Sequence, residues 1–188
     1  MRPISIVFLV IFALLGLTLT GSAQQSLSIS DGSTQGLASE TLTITLDATA
    51  DVQGYVLAIA FDDTLLTASD LQPAGAAENA ELIVAEILTG GVTLGVVMDS
   101  APPYGDAPIP AGNGTTIATL TVTPALVVGS DTDVAVDFQD GTLNSPALDN
   151  IIVQGGLSVG AGEGLGLNGG TMTLLEPPPA SMSIEDGS

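Results

Sequence analysis

Val52-Gln53-Gly54-Tyr55-Val56-Leu57-Ala58-Ile59-Ala60-Phe61 puts Tyr55, Leu57, Ile59 and Phe61 on one side of an extended chain. Val56, Ala58 and Ala60 fall on the other side, and neither side carries a charge. A strand that is apolar on both sides is covered on both sides. Val92-Thr93-Leu94-Gly95-Val96-Val97-Met98 behaves alike, with Val92, Leu94, Val96 and Met98 inward and Thr93, Gly95 and Val97 opposite. Two readings follow. Either a loop or the segment 76–88 lies over these strands, or their outer side is a flat, weakly polar protein-binding face built from small residues.

Working outward, the rest of the chain alternates in the ordinary way. Thr41-Leu42-Thr43-Ile44-Thr45-Leu46-Asp47 is a half-buried strand with Leu42, Ile44 and Leu46 inside. Asp133-Val134-Ala135-Val136-Asp137-Phe138-Gln139 and Thr119-Leu120-Thr121-Val122-Thr123 repeat the pattern. Breaks rich in Gly or Pro separate the runs: Gly90-Gly91, residues 101–114, Gly129, Gly141, Gly155-Gly156 and residues 160–170. Short strands at this spacing predict an all-β sandwich. Residues 76–88 fit a short helix or a strand equally well.

Composition excludes more than it assigns. The chain has 21 acidic residues against a single base, a net charge of −20, and no His or Cys. That base is Arg2. Charged residues are 12% of the chain, below the roughly 25% of average soluble domains, because the bases are missing. Without Lys or Arg there is no surface to neutralise phosphate, which excludes nucleic acid. Docking to an anionic membrane fails for the same reason. Without His, Cys or Lys the chain lacks the usual general bases, thiolate and imine chemistry, and zinc ligands.

The ends of the chain predict export and repetition. Residues 1–23 read as a Sec-type bacterial signal peptide: Arg2, an apolar run from Ile6 to Leu19, then Gly21-Ser22-Ala23 before a cut at Gln24. The protein is expected to be secreted or held at the cell surface, with no membrane attachment after cleavage. Ser26-Leu27-Ser28-Ile29-Ser30-Asp31-Gly32-Ser33 returns as Ser181-Met182-Ser183-Ile184-Glu185-Asp186-Gly187-Ser188, altered only at its second and fifth positions. The second copy follows Glu176-Pro177-Pro178-Pro179-Ala180, a stiff linker by composition. The expected organisation is a signal at 1–23, one sandwich over 24–175, a linker at 176–180, and the start of a second repeat at 181–188.

Three kinds of site chemistry can be weighed. Asp62 and Asp63 are adjacent on an extended chain, so they point to opposite faces and make a turn rather than a glycosidase pair. A serine nucleophile would have no base, so no enzyme is expected. A bound metal would have to be calcium, and the candidate ligands are Asp131, Asp133, Asp137 and Asp140, with Asp99 and Asp106 as a further pair. Sugar binding on a sandwich needs exposed rings. Tyr55, Phe61 and Phe138 fall on inward positions, which leaves Tyr104 as the candidate carbohydrate contact. Asn113-Gly114-Thr115 matches a glycosylation sequon and reads as a turn in a bacterial export.

Gly54-Tyr55-Val56-Leu57-Ala58-Ile59-Ala60-Phe61-Asp62-Asp63-Thr64-Leu65-Leu66 resembles the early strand of cohesin modules, an apolar strand running into an aromatic-Asp pair and then a Leu. Gly91 to Asp99, Ile117 to Val122 and Gly170-Thr171-Met172-Thr173-Leu174 follow in the family's order, so residues 26–175 can be laid along it. It is also similar to cohesin-like repeats of large exported bacterial proteins. The loops 101–114 and 160–170 are longer than in a minimal cohesin. The resemblance implies an all-β jelly-roll β-sandwich of about nine strands, related in shape to carbohydrate-binding modules. It implies a non-catalytic module that binds a dockerin, a calcium-loaded helical partner, in an extracellular and polysaccharide-degrading assembly. The binding residues it implies are Val56, Ala58 and Ala60, with Thr93 and Val97 beside them. The alternatives are a structural or adhesive tandem repeat of a cell-surface protein, and direct binding of polysaccharide.

Overall fold

The computed structural model describes residues 25–102 and 107–178. The signal region, Tyr104, Asp106 and the second repeat lie outside the described residues. Alternation of Leu or Ile with Thr drives the first sheet. In β3 (Glu40–Ala48) Leu42, Ile44 and Leu46 are fully buried, while the threonines between them stand on the outer face. β8 (Gly112–Pro124) pairs antiparallel with β3, and β1 (Ser26–Ile29) lies on the other side of β3. β5 (Leu66–Pro73) and β12 (Gly166–Asn168) close the two ends of this sheet, in the order β12-β1-β3-β8-β5.

The second sheet is built around β4 (Gly54–Phe61). Along one side β4 pairs with β7 (Gly91–Val97), which pairs in turn with β6 (Leu82–Leu88). On its other side β4 is shared by two strands. β9 (Thr132–Phe138) takes Ile59 to Phe61, and β10 (Ile151–Gln154) takes Gly54 to Val56. β11 (Leu157–Gly160) continues from β10, while β13 (Gly170–Leu175) and β2 (Gly32–Gln35) continue from β9. The inner sides of the two sheets meet in one core, from Leu27 to Leu174, that includes Tyr55, Leu57, Ile59, Leu94, Leu120 and Val136. Two sheets packed face to face are the sandwich architecture that the alternation predicts.

Three expectations need correction. The described residues contain thirteen strands rather than about nine, because segments read as breaks also pair. The Gly-rich tract at 160–170 holds β12, which runs parallel to β1. Of the break read at 101–114, residues 112–114 belong to β8, and Ile109 is fully buried and bridges to Val52. The open question over 76–88 resolves to a 3-10 turn at Gly75–Ala77 followed by the strand β6. Asp62 makes the expected turn: its Oδ1 accepts hydrogen bonds from the Thr64 N–H at 2.9 Å and hydroxyl at 2.6 Å, which hold its carboxyl below the usual range.

Candidate protein-binding face

The two outer faces differ in chemistry. On the first sheet the outer face is hydroxyl-covered, with Ser39 meeting Thr123 at 2.8 Å and Thr41 meeting Thr121 at 3.2 Å. On the second sheet the outer row runs Val56, Ala58 and Ala60 on β4, Gly91, Thr93, Gly95 and Val97 on β7, and Leu82, Val84, Glu86 and Leu88 on β6. It carries one acid and one hydroxyl. An apolar outer face is the side of a sandwich on which another body rests.

Part of that face is already covered. The loop from Gln139 to Asn150 starts between β9 and β10 and crosses toward β6. The Gln139 N–H donates to the Ala58 carbonyl at 2.9 Å, and the Ala58 N–H donates to Asn150 Oδ1 at 2.7 Å. Asn150 is fully buried, and both its N–H and its Nδ2 donate to Asp140 Oδ1 at 2.8 Å. The gap between β9 and β10 is therefore closed by an amide with its hydrogen bonds made. Further along, a Cβ on Gly91 would stand 2.7 Å from the Ile59 carbonyl oxygen and 2.8 Å from Leu143, so only glycine fits there. Asn144 Nδ2 then donates to Glu86 Oε2 at 2.6 Å. Under this loop Ala58 is 0% and Thr93 3% exposed. The expectation that these two residues face a partner is corrected: the loop takes their place on the surface. Ala60 keeps partial exposure at the same end.

The other half of the face is open. A groove of about 420 Å³ runs between β10 and β6, with Gly95 and Val56 at its floor, Leu82 and Val84 on one wall and Val153 on the other. Val97, Met98 and Pro108 close one end, beside Asp99. Val84 is 56% and Val97 38% exposed. Of the five residues expected to bind a partner, the groove gathers Val56 and Val97. It adds Gly95, which the sequence reading places on the outer side without naming it a binding residue, and Leu82 and Val84, which it does not place there. Leu82 and Val84 were missed because 76–88 had no settled periodicity.

Gly95 is the informative member. A Cβ built on it meets nothing nearer than the Val84 carbonyl oxygen at 3.9 Å, and its backbone is not left-handed. The fold does not need a glycine there. Glycine inside a strand weakens it, and among its uses there is to let a ligand or another backbone approach closely.

The other candidate sites are dispersed. Asp131 Oδ1 accepts from the Glu176 N–H at 2.9 Å, Asp133 Oδ1 from the Thr173 hydroxyl at 2.7 Å, and Asp140 serves Asn150. Asp137 packs against Gly169. The four carboxylates are spread over separate local bonds, and among the described residues no group of three or more acids is placed to hold a metal ion. Tyr55 is buried, its hydroxyl donating to the Ile117 carbonyl at 2.7 Å, and burial pushes its phenol well above the ordinary value. Phe61 and Phe138 pack against the core, so none of the three offers a ring platform for sugar. No helix among the described residues is long and apolar enough to cross a membrane.

No protein-family model matches the chain, and no curated protein matches it significantly. Solved structures do. The third cohesin of ScaC from Acetivibrio cellulolyticus, solved in complex with the ScaB dockerin, superposes with a TM-score of 0.64 at 15% identity, over 80% of this chain and 99% of that one. The cohesin of the Coh-OlpA-Doc918 complex from Clostridium thermocellum gives 0.64 at 11% identity, over 81% and 99%. A non-cellulosomal cohesin from the archaeon Archaeoglobus fulgidus gives 0.57 at 12% identity, over 82% and 93%. At these identities the likeness establishes the fold: this chain is a cohesin-like β-sandwich.

Proposed function

We propose that this cohesin-fold chain is a non-catalytic recognition module that binds a dockerin-type helical partner through the groove between β10 and β6. The observation that carries the reading is Gly95, a strand glycine with no structural demand on it, at the floor of an apolar groove. Cohesins of the same fold have been solved in complex with dockerins, which supports the class of partner. The partner inserts an apolar side chain against Gly95 and Val56. Its rim supplies positive charge or bound calcium toward the acidic surface around the groove, because this chain has no base beyond Arg2. Any calcium in the complex belongs to the partner on this reading.

In the same proposal residues 1–23 direct export, 176–180 form a linker and 181–188 begin a further module, so that the protein works outside the cell in a polysaccharide-degrading assembly. Pull-down of a panel of calcium-loaded dockerins tests it. At least one member should be retained and released by chelator. A panel in which none binds would refute the dockerin assignment.

A second reading has its own observation. The loop 139–150 occupies half of the outer face, and the fold is shared with a non-cellulosomal cohesin. A structural or adhesive repeat would need no dockerin. An open reading frame with many such modules, in a genome without dockerins, would favour it.

A further inference from the structure

We propose that the free edge of β6 pairs with β6 of a second copy of this chain, joining two sandwiches through one continuous sheet. This goes beyond the dockerin reading and uses a different surface. The backbone phase of β6 follows from its neighbours. The Met98 N–H donates to the Gln53 carbonyl at 2.9 Å, and the Phe61 N–H donates to the Gly90 carbonyl at 3.0 Å. These two bonds bracket the β4–β7 ladder, so Val92, Leu94 and Val96 turn their backbone groups toward β4. Gly91, Thr93, Gly95 and Val97 then turn theirs toward β6, where they face Leu88, Glu86, Val84 and Leu82. The N–H and C=O groups of Ile83, Ala85 and Ile87 are left pointing out of the sheet, where no described strand pairs with them.

The other edges are blunted in the ways natural sheets use, and β6 is not. β5 carries a register shift between Ala68 and Asp70 and ends in Pro73. β2 and β11 have four residues each and β12 has three. β6 has seven residues with no Pro, no base and no register shift, and Leu82, Ile83, Val84 and Ile87 are 45–56% exposed. Apart from Glu86 its side chains are apolar, and those on both sides reach water.

The sequence of β6 is complementary to itself. An antiparallel pair with its two-fold axis at Ala85 sets Leu82 opposite Leu88, Ile83 opposite Ile87 and Val84 opposite Glu86. The backbone groups of Ile83, Ala85 and Ile87 then meet one another, making about six hydrogen bonds. The only charge in the strand faces a valine. An axis at Glu86 would put two carboxylates face to face, which is destabilising. Charge therefore selects the register with the fullest overlap. A seven-residue strand pair buries less than the roughly 1,200–2,000 Å² of a standard interface, so the dimer is weak and depends on concentration. Each chain carries −20, so salt strengthens the association by screening the repulsion.

Sedimentation equilibrium over a concentration series, at low and high salt, reads the association. The average mass should climb toward twice that of the monomer, and sooner at high salt. A double variant, Ile83→Glu with Ile87→Glu, places carboxylates opposite one another and should stay monomeric throughout while melting as the wild type does. The chain has no cysteine, so Ala85→Cys gives a single thiol on the axis. Under mild oxidation it should form a disulfide dimer about tenfold faster than Leu157→Cys, an exposed thiol on another edge. A wild type that remains monomeric at high salt and high concentration would overturn the proposal. So would equal cross-linking of the two thiol variants. The groove residues are unchanged in these variants, so dockerin binding is scored separately.

Discussion

Replacing Gly95 with valine separates the fold from the function. A Cβ at this position has free space to 3.9 Å, and the groove that Gly95 lines is where the other two carbons of valine would go. Removing a glycine from a strand interior gains about 0.5–1 kcal/mol, and valine favours the strand. For a domain of this size that raises the melting temperature by about 1–4 °C. The same three carbons fill the floor of the groove between Val56 and Val84. A partner side chain that was buried there is pushed out, forfeiting about 1.5–3 kcal/mol, or roughly ten- to a hundredfold in affinity. Calorimetric unfolding and titration with the best-retained dockerin measure both quantities on one preparation. Gly129→Val is the control, since a Cβ there meets nothing within 4 Å and the residue is not in the groove. A Gly95→Val protein that melts several degrees lower would show that the glycine serves the fold. One that binds the partner as tightly as the wild type would show that the groove is not the contact. Either result refutes the reasoning.

Asn150→Ala removes the acceptor of the buried Ala58 N–H and should cost about 1–3 kcal/mol, with faster amide exchange at Gly141 and Leu148 as the loop over the sheet loosens. Unchanged exchange there would mean the loop is held by other contacts. Burial raises the folded-state pKa of Tyr55, so its contribution to stability is fully present below the unfolded value near 10 and is lost as pH rises beyond it. Denaturant midpoints should therefore fall above about pH 10, by up to about 1.4 kcal/mol per pH unit, and Tyr55→Phe should flatten that segment of the curve. Leu120→Ala empties a fully buried position at the centre of the first sheet and should cost about 2–5 kcal/mol, read as a lowered melting temperature. Trypsin should leave the chain intact beyond Arg2, since no Lys or Arg follows it, and internal fragments would contradict the sequence itself.

What could be read from residues alone tracks how locally each feature is determined. Thr41 to Asp47 and residues 92–98 show their inward sets directly, because alternation is a property of one strand against one core. Leu42, Ile44, Leu94 and Val96 are buried as that alternation requires. The double apolarity of β4 was legible, and so was the choice between a covering loop and a docking face. The structure divides that choice by position: the loop covers Ala58 and Thr93, while Val56 and Val97 stay in the open groove. No local pattern could have shown this, because Asn150 reaches Ala58 from 92 residues further along the chain and Leu143 reaches Gly91 from about 50. β6 was ambiguous for a related reason. Its side chains are exposed on both sides, so no core imposes a period of two, and Ala and Glu before it favour helix. The extra short strands in the glycine tracts were hidden because backbone pairing supports them more than side-chain burial does.

The absence of bases shapes the surface as well as the chemistry. In most sandwiches exposed edges and faces are guarded by lysine, which is compatible with water and hostile to strand pairing. This chain has no lysine, and no arginine after Arg2, so its edges can be protected only by shortness, register shifts, proline or acids. β2, β5, β11 and β12 use those means. β6 has a single acid, and that acid is engaged by Asn144 on the outer face rather than set on the edge. The same shortage applies to the groove beside it, where Leu82 and Val84 face outward with acids and no bases around them. A chain lacking the usual guard has left apolar both the groove and the edge of one strand. Unspecific pairing at these places is then opposed mainly by the repulsion of like-charged molecules, which acts at long range and is weakened by salt. Partners of opposite charge escape that penalty, and copies of the same chain pay it in full. The acidic surface thus ranks the two proposed contacts: attraction to a cationic or calcium-bearing partner is strongest at low ionic strength, while edge pairing between copies needs high concentration or salt.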